Sequence, residues 1–313
     1  MTSRIRPANR QQAKPLIGLY AESGCGKTYS SLLLARGFSG PSGKICMIET
    51  ESGRGESYAN PAEYPEIGGY DVLPLREPFS PKAYGEAIGE VERAGYDCLV
   101  IDSASHEWEG AGGVLSMAAQ NQEAGKRGPI VWQQPKMDHQ KHFMLRFMQT
   151  PIPLVILNMR AKYPMEEVVK NGKKEWTRSE SLDPKQSEDI LFEMFVHGWI
   201  GKDHSFHPTK ITAKSLASVF ADGKPLTLDT GRALAQWASG SPQPAAPETN
   251  EQKTKRIAKE IVAAIQACSS LGELENVRHD FERDVEDIKA ASQKAYDYIM
   301  AADETKANAL EGQ

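Results

Sequence analysis

The chain has 313 residues, of which 40% are hydrophobic and 25% charged, and its formal net charge of −5 comes entirely from residues 241–313. This length and composition are typical of a globular protein with one sizeable α/β core and a small appendage. The longest apolar stretch, residues 152–159, is broken by Pro153 and Asn158 and is far shorter than the ~20 residues of a membrane helix; the polar start lacks a secretory signal, so we expect a cytoplasmic protein that does not contact membranes.

Composition divides the chain into four segments. Residues 1–14 are polar and basic, which predicts a flexible arm. In residues 15–239, short apolar runs alternate with amphipathic stretches, as in βαβ units around a mostly parallel sheet. Residues 240–250 are rich in proline and indicate a linker. In residues 251–313, apolar residues at helical spacing predict a small acidic domain of three helices, the second of which runs through Leu274 and Ile288.

A glycine-rich loop stands between the first apolar run and the first amphipathic stretch. Pro15–Tyr20 is typical of a buried strand, Ala21–Thr28 has the sequence AESGCGKT, and Tyr29–Arg36 is typical of a helix that ends at Gly37. The loop matches the Walker A pattern, with alanine in place of the commoner first glycine. Its position between a strand and a helix is the context that this pattern requires.

Each residue type in the loop has a chemical reason. Gly24 and Gly26 let the backbone N–H groups point at phosphate oxygens, and the following helix directs its positive end at the same anion. Lys27 supplies a positive charge to the β- and γ-phosphates, and the Thr28 hydroxyl is a ligand for Mg²⁺. The pattern therefore predicts that ATP and Mg²⁺ are bound here, by Glu22, Ser23, Gly24, Cys25, Gly26, Lys27, Thr28 and Tyr29.

Carboxylates follow two further predicted strands. The apolar run Cys98–Asp102, preceded by helix-like residues 81–94, has the Walker B arrangement, in which Asp102 holds Mg²⁺ through its water shell. The run Lys44–Ile48 is followed by Glu49 and Glu51, and a carboxylate at this position can polarise the water that attacks the γ-phosphate. These residues alone leave the choice between Glu49 and Glu51 open.

Later segments carry further candidates. A strand over residues 154–157 ends at Asn158, whose amide is expected to sense the γ-phosphate or to orient water. His139 and His142 fall on one helical face with Lys136, where we expect surface polarity rather than a metal site. Lys210 and Lys214 follow a segment of strand type and are either trans-acting fingers that reach a neighbouring subunit's γ-phosphate or ordinary surface lysines.

Together these elements resemble the RecA-like ATPases, and most closely the phage-encoded RecA-core proteins that act as single-strand annealing ATPases. The resemblance rests on AESGCGKT at 21–28, IETESG at 48–53, CLVIDSASH at 98–106 and VILNMRAK at 155–162. It implies a RecA-like P-loop NTPase core over residues 15–239, with a mostly parallel sheet flanked by helices, and a small C-terminal helical domain.

The resemblance also implies roles for single residues. The second segment is similar to the Asp-Thr-Glu-Gly segment of strand-exchange proteins, so Glu51 corresponds to their catalytic glutamate. The sequence departs from that segment by having Glu49 for the aspartate and Ser52 before Gly53. Asn158 matches the amide that couples the nucleotide state to a DNA-binding loop.

In a RecA-like core, two loops face the central channel of an oligomer, and here they correspond to residues 110–136 and 160–178. The second contains Asn171-Gly172, a hairpin signal. Basic side chains with an interleaved aromatic suit single-stranded DNA, whereas a charged hairpin without a ligand is the alternative. The candidate DNA-binding residues are Lys126, Arg127, Arg160, Lys162, Lys170, Lys173, Lys174, Trp176 and Arg178.

The leading hypothesis is an ATP- and Mg²⁺-dependent protein that forms a ring or filament on single-stranded DNA and promotes annealing or pairing in phage recombination, in the host cytoplasm. The C-terminal helices either dock a single-strand binding protein or another recombination protein, or form a cap without a ligand. The alternatives are a helicase- or loader-type motor of DNA replication, a small-molecule kinase, whose arginine-bearing lid we do not identify, and a nucleotide-gated scaffold that does not hydrolyse ATP.

Overall fold

The computed structural model describes residues 14–170, 173–179, 182–240 and 250–311. Most of the predicted arm, most of the linker and the hairpin turn at Asn171-Gly172 therefore lie outside the described residues. The chain divides into two compact units, Met1–Gln243 and Pro244–Gln313. Among the described residues, no helix combines the length and the apolar character that crossing a bilayer requires.

The first unit is built on a mostly parallel sheet. Its strands are β1 Leu16–Ala21, β2 Ile45–Glu49, β3 Asp71–Pro74, β4 Cys98–Asp102, β5 Leu154–Lys162, β8 Asp183–Pro184, β9 Val196–Ile200 and β10 Phe206–Ile211. The strands β6 Met165–Lys170 and β7 Lys173–Arg178 form a separate hairpin. The order across the sheet is β10-β9-β1-β5-β4-β2-β3. The short β8 pairs with β5, and both β8 and β10 run antiparallel to their neighbours.

Helices cover both faces of this sheet, which is why β1, β2 and β4 are buried throughout and have continuous apolar sequences. The helices are α1 Lys27–Ser39, α2 Pro81–Ala94, α3 Ser105–Glu109, α4 Val114–Glu123, α5 Ile130–Asp138, α6 Leu145–Gln149, α7 Asp189–Glu193 and α8 Leu228–Ala238, with a π-helical segment, His139–Met144, between α5 and α6. One core cluster contains Leu32 and Leu34 of α1, and the other contains Tyr84 of α2 and Phe143. The sequence-based expectation of an α/β core with a mostly parallel sheet is confirmed.

The register of the parallel strands brings polar residues to one edge of the sheet. Glu49 of β2 pairs with Asp102 of β4, Asp102 pairs with Asn158 of β5, and Asn158 pairs with Leu19 of β1. The carboxyl ends of parallel strands are where open α/β sheets bind ligands. The candidate residues from four separate segments are thus gathered beside the loop that follows β1.

Helix α1 is longer than expected, because Gly37 does not end it. The helix continues to Ser39 and is capped at Gly40, which has φ 75°. Gly37 instead lies where α1 crosses α8, and a Cβ there would stand 2.1 Å from the carbonyl oxygen of Leu228 and 2.9 Å from Cα of Gly231. Glycine is needed at this position for close helix packing rather than for a left-handed turn.

We expect Gly37→Ala to lower the free energy of unfolding of the first unit by ~1–3 kcal/mol or more, because the added methyl group overlaps backbone atoms that cannot rotate away. Urea unfolding followed by tryptophan fluorescence measures this, since all five tryptophans lie in the first unit. Gly69→Ala is the matched control, because a Cβ at Gly69 meets no atom within 4 Å. Equal midpoints for the two variants would contradict the packing role.

The second unit consists of helices α9 Asn250–Ala267, α10 Leu271–Asp280, α11 Glu282–Ala291 and α12 Gln293–Glu311. The predicted single helix through Leu274 and Ile288 is therefore wrong, since it breaks at Phe281, which has φ −104° and ψ 11°. The break lets Leu274 and Ile288 bury their side chains in one core. Ser270 caps α10 by accepting a hydrogen bond from the Glu273 N–H.

Candidate active site

The glycine-rich loop connects the end of β1 at Ala21 to the start of α1 at Lys27. Gly24 and Gly26 have φ angles of 84° and 85°, a left-handed conformation that favours glycine. The loop and the free N–H groups at the start of α1 form the type of anion site found at helix N-termini. The predicted strand-loop-helix arrangement is present.

Lys27 bends back over the loop, where its ammonium group donates hydrogen bonds to the carbonyl oxygens of Ala21 (3.1 Å) and Glu22 (3.0 Å). Burial lowers the pKa of Lys27, and the nearby carboxylates of Asp102 and Glu51 oppose that effect. A half-buried ammonium group beside an anion site is suited to bind phosphate.

Thr28 and Asp102 meet although they lie on different strand-helix units. The Thr28 hydroxyl donates a hydrogen bond to Asp102 Oδ2 at 2.6 Å, and Asp102 is 6% exposed. Burial raises the pKa of Asp102, and the hydrogen bond from Thr28 opposes the rise. A hydroxyl and a carboxylate at this distance are oxygen donors of the kind that Mg²⁺ prefers.

The magnesium ion would need additional ligands from water or phosphate. Within the part of the chain that the structure describes, no group of three or more His, Cys, Asp or Glu side chains is placed to hold a metal ion. Mg²⁺ in nucleotide sites is ordinarily held by one or two protein groups, substrate phosphates and water, so Thr28 and Asp102 fit this type of site.

The two candidate glutamates have different environments. Glu49 is 1% exposed, and its two carboxylate oxygens accept hydrogen bonds from the N–H groups of Glu51 (2.7 Å) and Gly53 (3.0 Å). Glu51 lines the large cavity, a space of ≈ 970 Å³ beside the loop, and pairs with Arg160 at 2.9 Å. Glu49 therefore holds the turn that carries Glu51, and Glu51 remains the candidate base.

Asn158 is not at a strand tip, because β5 continues to Lys162 through pairing with β1 and β8. Its side chain is fully buried, and Nδ2 donates a hydrogen bond to Ser31 Oγ of α1 at 3.0 Å. The predicted end of the strand at Asn158 is therefore wrong, and the amide lies buried between β5 and α1. A sensing role for Asn158 stays a prediction that would act through Ser31 or through Asp102, since a hydrogen bond with the Asn158 side chain opposes the rise that burial causes in the pKa of Asp102.

The large cavity has a wall of three tyrosines, of which only Tyr29 was predicted from the sequence. Tyr29, Tyr58 and Tyr64 line it and contact one another, with ring centroids 5.2–6.0 Å apart. Tyr58 and Tyr64 follow Glu51 in a stretch without regular periodicity, so only the recurrence of tyrosine signalled them. Such a cluster offers flat faces for a nucleobase.

His204 is a further residue of the site that was not predicted from the sequence. It lies in the turn between β9 and β10, has φ 64°, and its Nδ1 lies 3.0 Å from the carbonyl oxygen of Cys25 in the loop. A Cβ on Gly26 would stand 2.8 Å from the same nitrogen. His204 also lines the large cavity, so this turn packs against the loop and supports its shape.

The remaining loop residues divide between two cavities. Ser23, Gly24, Gly26 and Tyr29 line the large cavity together with Lys27 and Thr28. Glu22 and Cys25 line a smaller cavity of ≈ 410 Å³ instead. Neither of these two residues lines the large cavity.

The first predicted DNA-binding region, residues 110–136, is mainly helical rather than a loop. Lys126 donates a hydrogen bond to Asn121 Oδ1 at 2.7 Å, and Arg127 donates one to the Gln122 carbonyl at 2.9 Å. These cations therefore bind residues of α4 near its C-terminus. Such contacts satisfy polar groups at a helix end. Among the described residues, no contact connects Lys126 or Arg127 with the candidate residues of the hairpin.

The second region forms the predicted antiparallel hairpin of β6 and β7. Trp176 is 67% exposed, Lys162 is exposed, and Lys174 pairs with Glu167 at 2.8 Å. Arg178 stacks over Tyr163 and pairs with Glu22 at 3.2 Å. The side chains of Lys170 and Lys173 lie outside the described residues.

Arg160 differs from the other DNA candidates, because its side chain lines the large cavity and contacts Glu51. Lys210, a predicted finger, donates a hydrogen bond to the Phe192 carbonyl at 2.7 Å, and Lys214 begins a short 3₁₀ helix; neither lines that cavity in this chain. Action on a neighbouring subunit stays a prediction for both lysines.

His139 is not a surface residue as the sequence suggested. It is 2% exposed and its Nδ1 lies 3.0 Å from Glu107 Oε1, while Gln186 donates a hydrogen bond to Glu107 Oε2 at 3.3 Å. The π-helical segment turns His139 inward, and a buried carboxylate requires such partners. Burial raises the pKa of Glu107, and the hydrogen bond with His139 opposes the rise.

No protein-family model and no curated protein sequence matches this chain. Among solved structures, one described as a prototypical ATPase from the type III secretion system of pathogenic bacteria is 10% identical, with a TM-score of 0.36 over 91% of this chain and 73% of that one. A similarity at this level carries no inference about activity. Function is therefore inferred from the geometry of the site itself.

Proposed function

We propose that this chain binds ATP with Mg²⁺ and hydrolyses it to ADP and phosphate. The observation that carries the proposal is the 2.6 Å contact between Thr28 and Asp102 beside a glycine-rich loop at a strand-to-helix junction. This is the arrangement that supports a magnesium–triphosphate complex in P-loop NTPases. When bound, Mg²⁺ would neutralise charge on the transferring phosphate.

The chain's own residues would divide the work. The loop N–H groups and Lys27 bind the phosphates, Thr28 and Asp102 orient the metal, and Glu51 accepts a proton from the attacking water. Tyr58 and Tyr64 cover the nucleobase of ATP.

We expect Tyr58→Ala to weaken adenine nucleotide binding by about 1–3 kcal/mol, or roughly 5- to 150-fold, because a stacking face is lost. Tyr58→Phe keeps the ring and serves as the control, and displacement of a fluorescent ADP analogue measures both. Equal weakening by the two variants would show that the hydroxyl, rather than the ring, makes the contact.

We further propose that the protein acts on single-stranded DNA, as an annealing or pairing ATPase of the phage-recombination type, and that it assembles into a ring or filament. The support is the hairpin of β6 and β7, which presents Trp176 and Lys174 to solvent. Arg178, the last residue of β7, forms an ion pair with Glu22 of the phosphate-binding loop. This contact offers a route by which DNA binding at the hairpin could be coupled to nucleotide binding at the loop.

The test is the rate of phosphate release with and without an oligo(dT) strand at low salt, repeated on Lys27→Ala. We expect turnover that depends on Lys27 and rises with the strand. Lys27-dependent turnover without stimulation, together with an absence of strand binding, would remove the DNA part and leave the ATPase. Turnover that survives Lys27→Ala would remove the whole proposal.

A further inference from the structure

Arg160 is held firmly at its backbone. Its Cα pairs with that of Ala21, where β1 enters the phosphate-binding loop. Its N–H donates a hydrogen bond to Ser105 Oγ at 2.9 Å, and its carbonyl accepts one from the Lys185 N–H at 2.7 Å. The side chain is 41% exposed and lines the large cavity. The guanidinium group can therefore change partners while its backbone stays fixed.

The present partner of Arg160 is the candidate base. Arg160 Nε and Nη2 lie 3.0 and 2.9 Å from Glu51 Oε1. Arg54 Nη1 lies 3.5 Å from Glu51 Oε2, so both oxygens of this carboxylate face arginines. A carboxylate whose lone pairs accept hydrogen bonds from guanidinium groups is poorly placed to accept a proton from water.

The same cavity is the proposed site of a triphosphate. Arginine binds phosphate through the same paired N–H groups that it uses for carboxylates, so one guanidinium fork cannot fully serve both. Arg160 and Lys27 line this cavity together. Burial is the main cause that lowers the pKa of Lys27, the carboxylates of Asp102 and Glu51 oppose it, and the positive charge of Arg160 adds a smaller lowering effect. Arg160 is thus close enough to the phosphate-binding lysine for its charge to be felt there.

We propose that Arg160 exchanges partners when ATP binds, from Glu51 to the terminal phosphate. This inference rests on the proposed function and deepens it in two ways. Arg160 distinguishes ATP from ADP, because ADP lacks the phosphate that it contacts. Glu51 becomes free to act as the base only when that phosphate is present, so the ion pair keeps the empty site inactive.

The first test compares Arg160→Ala and Arg160→Lys for binding of a non-hydrolysable ATP analogue and of ADP, by displacement of a fluorescent nucleotide. We expect Arg160→Ala to bind the ATP analogue roughly tenfold more weakly and ADP within about twofold of the unmodified protein. Arg160→Lys should recover part of the loss. The control is Arg232→Ala, which removes an arginine paired with Asp229 outside the cavity.

A double-mutant cycle then tests the exchange. If Glu51 and the terminal phosphate compete for Arg160, Glu51→Gln should bind the ATP analogue several-fold more tightly, with ADP unaffected. In the Arg160→Ala background the same change should give no gain. A gain that persists there would come from direct repulsion between Glu51 and phosphate, and it would overturn the exchange.

The outcomes separate this inference from the proposed function. Equal effects of Arg160→Ala on both nucleotides, or no effect on either, would overturn the exchange while Lys27-dependent ATP binding still stood. A protein that binds neither nucleotide would overturn both proposals.

Discussion

Glu51→Gln is expected to lower ATP turnover by about 10²–10⁴-fold while ATP still binds, because glutamine cannot accept a proton from the attacking water. Glu51 lines the cavity, whereas Glu49 lies beneath the turn with both oxygens accepting hydrogen bonds. Single-turnover phosphate release, measured beside nucleotide affinity, separates the chemical step from binding. The unfolding midpoint should stay unchanged, since Glu51 makes partly exposed contacts.

Glu49→Gln is the matched control for that experiment. Glutamine presents only one acceptor oxygen to the Glu51 and Gly53 N–H groups, so one partly buried donor loses its partner. We expect this variant to lose about 1–3 kcal/mol of stability in urea unfolding. An active Glu51→Gln protein, together with an inactive Glu49→Gln protein of normal stability, would reverse the assignment of the base.

Asp102→Asn is expected to reduce Mg²⁺-dependent turnover about 100-fold or more, because the metal loses a negative charge near its position, an effect of several kcal/mol. Asparagine still offers an acceptor to the Thr28 hydroxyl, so the local geometry is retained. Titration of turnover with Mg²⁺ measures the effect. Asp229→Asn, which changes an exposed aspartate, should leave the titration unchanged.

The stability of Asp102→Asn provides an independent check. Burial raises the pKa of Asp102, which means that the folded chain disfavours its charged form. Removing the charge should therefore leave the unfolding midpoint in the absence of nucleotide unchanged or higher. A lower midpoint would mean that lost activity reflects misfolding rather than a lost metal site.

Much of the phosphate site could be predicted from the sequence, because it depends on short-range features. The glycines of the loop, the lysine and threonine after them, and the apolar run ending in Asp102 each lie within a few residues of one another. The hairpin of β6 and β7 followed from a local turn signal in the same way. The short helix break at Phe281 did not, because the apolar spacing continues across it.

Predictions that depend on residues distant in the chain were wrong or missing for a common reason. Gly37 has the local appearance of a helix end, but packing against Gly231 gives it another role. His139 lies on an amphipathic stretch, but the π-helical segment and Glu107 bury it. Tyr58 and His204 belong to no recognisable sequence motif, because each acts through residues distant in the chain.

The sequence by itself determined the chemistry of the loop: which residues are suited to phosphate and magnesium, and that a parallel sheet presents them. Local backbone preference and residue type are sufficient for that. Only the tertiary structure decided which side chains share the cavity. The strand order places β5 between β1 and β4, which brings Arg160 to Glu51 and buries Asn158 beneath the loop, and pairing between distant strands leaves no local signal in the sequence.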